Sequence, residues 1–170
     1  MGEKENLVLV EVRGLMNDPA TRTPIVVLRD DEGDRFLPIW IGLFEAQAIG
    51  LALEGVKAPR PMTHDLLADT ITSLGGTVDR VVVSSLREGT FYATVEVLRG
   101  GEALVLDARP SDAIALALRL GSPILVREAI FSDAATRSST SGEAISFDED
   151  ERSRRLLESL TPEELGKYKM

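Results

Sequence analysis

The chain contains no cysteine and only one histidine, His64, in 170 residues. The first absence excludes thiol catalysis, a zinc ribbon and an iron–sulfur cluster, all of which need thiolate. The second excludes a metal site built from histidines alone within one chain, and any Ser–His–acid triad has to use His64. Long apolar runs are also missing: no stretch of about 18 apolar residues occurs, so no membrane span is expected. The opening Met1-Gly2-Glu3-Lys4-Glu5-Asn6 is polar and lacks a basic region leading into a signal-peptide core, which predicts a cytoplasmic protein.

Positive charge is in short supply. Nineteen Lys and Arg stand against 28 Asp and Glu, a formal net charge of −9. Such a body argues against non-specific coating of nucleic acid, which relies on many phosphate contacts. A local basic cleft stays open to it, because screening over about 8 Å makes local charge outweigh the total. With 44% apolar and 28% charged residues the chain has the balance of a globular protein, which its length fits to one domain and a short tail.

The residue pattern places strands at Leu7–Val12, Pro24–Leu28 and Phe36–Ile41, then a helix at Leu43–Glu54 closed by Gly55. Pro38 lacks an N–H and predicts an edge strand or a bulge. A second helix begins near Thr63, read as its N-cap, with Met62 and Leu67 as a hydrophobic staple, and stops at Gly75-Gly76. Strands at Val78–Ser84, Phe91–Leu98 and Ala103–Asp107 follow, then a helix from Pro110 to Leu120 and a last strand at Pro123–Val126. Trp40, Phe36, Phe91 and Tyr92 read as core residues. Arg80, Arg87, Arg99 and Arg127 are candidates for a basic surface if they share a face.

Ala48-Ile49-Gly50-Leu51-Ala52-Leu53 matches Ala113-Ile114-Ala115-Leu116-Ala117-Leu118, and Ile39-Trp40-Ile41 matches Leu104-Val105-Leu106 at the same offset. The expected fold is therefore pseudo-symmetric α+β, each half three strands and an apolar, buried Ala/Leu-rich helix. Residues 1–131 form the domain, 132–147 a flexible Ser/Thr/Ala-rich loop or linker, and 148–170 an acidic helical tail carrying Leu156, Leu157, Leu160 and Leu165.

Two segments collect polar side chains where the chain enters a helix: Arg60-Pro61-Met62-Thr63-His64-Asp65 and Asp107-Ala108-Arg109-Pro110-Ser111-Asp112. Helix entries offer free backbone N–H groups and a partial positive charge suited to an anion. Arg60 and Arg109 can clamp phosphate, with Ser111 beside them, and Asp65, Asp107 and Asp112 can hold Mg²⁺ or Mn²⁺ through oxygen. His64 can move a proton, and His64, Asp65, Asp107 and Asp112 make up the candidate catalytic set. The plainer reading gives each residue a capping or dipole role. Glu45, in the first turn of the first helix, is a further carboxylate that could join them.

Leu37-Pro38-Ile39-Trp40-Ile41-Gly42 with Glu45-Ala46, then Arg60-Pro61-Met62-Thr63-His64-Asp65-Leu66, then Asp107 through Leu116, resemble the bifunctional nuclease family of bacteria and plants. The resemblance runs from about Leu7 to Phe131. It implies nuclease activity on DNA and RNA, an α+β fold of two β3-α-β-like repeats in a single barrel-like mixed sheet, and a homo-oligomer, for which a dimer is favoured here. Some relatives append a helical-hairpin module shared with excision-repair proteins, and the segment after Asp148 is too short for it. The residue assignments rest on motif position and chemistry. The competing reading is a non-enzymatic oligomeric module that recognises a protein partner or small anion. A serine hydrolase using Ser111 and His64 is the weakest reading, since no nucleophile elbow surrounds Ser111.

Overall fold

The computed structural model describes residues 6–32 and 35–132. Apart from Ser132, the expected linker and acidic tail lie outside these residues. The elements follow in the order β1 (Leu7–Asn17), β2 (Pro24–Asp30), β3 (Phe36–Trp40), α1 (Leu43–Leu53), α2 (Thr63–Ser73), β4 (Gly76–Arg87), β5 (Thr90–Arg99), β6 (Glu102–Ala108), α3 (Pro110–Leu120) and β7 (Ile124–Arg127). A short helical segment at 128–132 comes after β7. Three strands and then a helix occur twice in this order, with α2 between the two runs.

The strands form one mixed sheet in the order β3-β2-β1-β7-β4-β5-β6. Neighbours are antiparallel except β4 and β7, which are parallel. The sheet is open, which corrects the expected barrel-like closure: β3 and β6 are its two edges and do not pair with each other. Each edge strand runs directly into a helix, β3 into α1 and β6 into α3, so the chain leaves the edge instead of extending the ladder around it. Pro38, which removes a backbone donor, sits in an edge strand as its chemistry predicts. Gly14 does not end β1; the register shifts there as a bulge, and pairing with β2 continues to Asn17.

All three helices lie on one face of the sheet. Side chains alternate along a strand, and on that face Val10, Val26, Leu28, Val81, Val83, Val95 and Val126 meet Ile49, Ile114 and Leu116 in one buried cluster. Helix α3 is the centre of the layer: Pro110, Ser111 and Ala113 through Ala117 are buried beneath α1, α2 and the strands. Helix α1 is not enclosed as its apolar sequence suggests, since Leu43 is exposed and Phe44 is 80% exposed. Trp40 and Tyr92, expected in the core, are exposed as well. Each points to the sheet face that carries no helix, where the Trp40 indole N–H donates to Asp18 at 2.8 Å and Arg87 lies over the Tyr92 ring.

Candidate functional site

The first turns of α1, α2 and α3 converge. Gly42 precedes α1 in extended conformation, and the absence of a side chain leaves room for Glu45 to fold back over it. Pro110 opens α3, its missing N–H being one that the first turn would leave unbonded in any case. The N-cap of α2 is Met62 rather than Thr63, which is already helical. Asp65 supplies what Met62 cannot, accepting the Met62 backbone N–H on Oδ2 at 2.9 Å.

Arg109 ties these ends together. Its Nε and Nη2 donate to Asp112 at 2.7 and 3.2 Å, and its Nη1 donates to Glu45 Oε1 at 2.8 Å. From α2, His64 Nε2 reaches Asp112 Oδ1 at 2.9 Å. Burial alone would push the Asp112 carboxyl up, but the hydrogen bonds from Arg109 and His64 and the Arg109 charge outweigh it and hold the group below the ordinary carboxylate range. An ionised carboxylate only accepts, so Nε2 of His64 donates to Asp112, and in the neutral ring that tautomer makes Nδ1 the acceptor. The Arg109 side chain is 65% exposed. Three of its five N–H groups are engaged, leaving two for a ligand.

Asp65 belongs to a second tie. Its Oδ1 accepts from Arg119 Nε at 2.6 Å, and Arg119 Nη1 also reaches the carbonyls of Ala48 at 3.0 Å and Ala115 at 2.9 Å. Burial pushes the Asp65 carboxyl up, while the Met62 N–H and the Arg119 guanidinium pull it further down, and the net effect is a lowered pKa. Arg119 was not singled out in the sequence. The signal available was a single arginine near the end of an otherwise apolar helix, a place where a cation gains from the helix dipole and needs a partner if buried.

Of the predicted residues, then, His64, Asp112 and Arg109 meet directly, and Glu45 joins them. Asp65 is next to His64 in α2 but faces Arg119. Arg60 is exposed and has no side-chain partner among the described residues. Ser111 is buried in α3, and the partner of His64 is Asp112, not Ser111. Asp107 pairs with Thr94 in the β5–β6 register, while neighbouring Ala108 pairs with Ala93 of the core. Alternation therefore turns Asp107 to the face opposite α3 and Asp112. Among the described residues, no group of three or more His, Asp or Glu side chains is arranged to hold a metal ion. Both oxygens of Asp65 and of Asp112 already accept from arginine, histidine or backbone N–H, so this arrangement does not present a ready donor set for Mg²⁺ or Mn²⁺. Arg80, Arg87 and Arg127 share the face without helices by register, but Arg80 is paired with Glu96, and Arg99 faces the other way. No helix among the described residues is long and apolar enough to cross a membrane.

Comparison with known proteins places this geometry in context. The bifunctional nuclease domain model matches residues 26–139, which include every side chain of the cluster. An uncharacterized protein of Mycobacterium tuberculosis is 41% identical over 160 residues, 91% of this chain and 96% of that protein. A protein named bifunctional nuclease 1 from Oryza sativa subsp. japonica is 28% identical over 118 residues, 68% of this chain but 36% of the rice protein. Bifunctional nuclease 2 of Arabidopsis thaliana is 26% identical over 118 residues, again 36% of the plant protein.

Proposed function

The chain belongs to the bifunctional nuclease domain family, and we propose that it hydrolyses phosphodiester bonds in DNA, RNA or both at the meeting point of the three helix N-termini. The observation that carries this reading is the His64–Asp112–Arg109 constellation: an oriented imidazole with a free Nδ1 next to an exposed guanidinium with unused donors. The partial positive charge at three converging helix starts favours a phosphate there despite the acidic chain.

In this reading the free N–H groups of Arg109 bind the non-bridging phosphate oxygens, and exposed Arg60 steers the strand. Nδ1 of His64 takes a proton from the attacking water as its oxygen bonds to phosphorus, and the ester P–O bond breaks with the leaving sugar oxygen taking a proton from solvent. Asp112 keeps the ring in one tautomer and balances the imidazolium that forms. No step is routed through a metal ion, because the carboxylates meet arginines rather than one another.

The engagement of both Asp65 and Asp112 by arginine also favours a second reading, in which the cluster is structural and the domain is a non-enzymatic binding module. In either reading a homo-oligomer, with a dimer favoured, is supported by edge strand β6, where Leu104 and Leu106 are exposed and Val105 is 62% exposed. Unpaired apolar edge strands invite pairing with another chain.

The test is cleavage of labelled single-stranded RNA and duplex DNA with Mg²⁺, Mn²⁺ or EDTA, using wild type and His64→Ala prepared identically. Cleavage by the wild type that falls by about 10²- to 10⁴-fold in a folded His64→Ala supports the hydrolase. Equal cleavage by both preparations, or none under any condition, moves the assignment to the binding module.

A further inference from the structure

Beside the Arg119–Asp65 pair, towards the ends of α1 and α3, is a cavity of about 530 Å³. That volume is in the range of small-molecule sites. It is formed where α1 and α3 end, with Leu51, Val56 and Leu118 among its apolar walls, Pro59 and Pro61 at the loop between α1 and α2, and Asp65 and Arg119 beside them. Asp65 is thus shared by the cavity wall and by the helix whose preceding residue, His64, holds Asp112. Asp112 and Arg119 are seven residues apart on α3, about 10 Å along its axis.

Its electrostatics are mixed: the C-termini of α1 and α3, with their partial negative charge, and the first turn of α2, with its partial positive charge, all border it. Its charged side chains cancel: Asp65 is paired with Arg119, while Lys57 and Asp69 carry no side-chain partner among the described residues. A phosphate would meet one ammonium against a carboxylate, among helix ends of opposing sign, with no net attraction for an anion. A neutral, flat ring with both donors and acceptors suits these walls, and an exocyclic amino group would gain further from Asp69. Arg60 is exposed in the loop between the lining residues Pro59 and Pro61.

We propose that this cavity is a nucleobase subsite selective for amino-bearing bases, taking the base of a nucleotide whose phosphate is at the Arg109 cluster. The proposal rests on the hydrolase reading for its ligand class, and its test does not need cleavage. Cytidine, uridine and ribose 5-phosphate are titrated separately into the full chain, and binding is read by calorimetry and amide shifts. The expected result is that cytidine binds several-fold more tightly than uridine, with shifts at residues 51–58 and 118–120. Ala52→Trp, which fills the cavity from α1, should abolish cytidine binding, and Asp69→Asn, at an exposed position, should erase the preference over uridine. Ribose 5-phosphate producing the same shifts at residues 51–58 and 118–120 as cytidine, or no binding of either nucleoside, would overturn the proposal. Cytidine binding in a chain that cleaves no polymer retains the subsite and discards the hydrolase; cleavage without nucleoside binding does the reverse.

Discussion

Arg119 and Asp65 lie 54 positions apart in sequence yet form a 2.6 Å ion pair, and the same guanidinium holds the Ala48 carbonyl of α1 at 3.0 Å. One side chain on α3 thereby fixes both of its flanking helices. Only 12% of that side chain is exposed. Arg119→Ala should destabilise the chain by about 2–3 kcal/mol, since it leaves Asp65 Oδ1 without its cation and removes the ties to the Ala48 and Ala115 carbonyls. A denaturant titration measures this; a loss under 0.5 kcal/mol, the scale of ordinary surface changes, would show that α2 is held by apolar packing alone.

Acid should loosen the same helix. Asp65 and Asp112 both titrate lower in the folded chain than their ordinary value of 3.8. At neutral pH both the folded and unfolded chains are ionised here, so the stabilisation is complete. Below about pH 4 the unfolded chain takes up protons first, and the contribution drains away as the pH falls towards the folded values. Stability measured from pH 6 down to pH 3 should fall more steeply in wild type than in Asp65→Asn/Asp112→Asn. Parallel curves would contradict this.

Asp107 and Asp112 frame one sequence motif but occupy opposite faces of the sheet. Asp112→Asn should lower cleavage by about 10²-fold or more through loss of His64 orientation, whereas Asp107→Asn should retain activity within about twofold. A shared collapse of both variants, with folding intact, would restore Asp107 to the site.

A charge on the exposed edge should separate subunits. Val105→Lys places an ammonium on β6 at a position that carries no core contact. Sedimentation should shift from the proposed dimer to monomer with unchanged thermal stability of the fold. An unaltered dimer would move the interface away from β6.

Gly76, the first residue of β4, packs where a Cβ would approach Val97 and the Ile71 side chain and carbonyl at 3.0–3.1 Å. Gly76→Ala should cost about 1–3 kcal/mol by forcing α2 away from β5, which a melting curve can check.

Much of this protein is legible in one dimension because local rules decide it. Alternation and turn residues locate the strands, Pro38 predicts an edge, Pro110 opens α3, and the order of motifs carries the family. The polar helix entries, too, stand out against an apolar background. What local rules do not contain is which entries meet. β7 seats in parallel beside β4 and joins the two three-strand runs, while β3 and β6 do not pair and leave the sheet open, against the closure expected. One residue of strand alternation sends Asp107 away from a site that its sequence neighbours suggest. Arg119 becomes a tie only because α2 crosses α3 at Asp65. Pairing across 48 to 64 residues, as in His64 with Asp112 and Glu45 with Arg109, depends on the packing of whole elements. Composition and spacing determined the elements and the residue types available for chemistry, whereas tertiary packing decided which charges neutralise one another, because that depends on distances that no local propensity encodes.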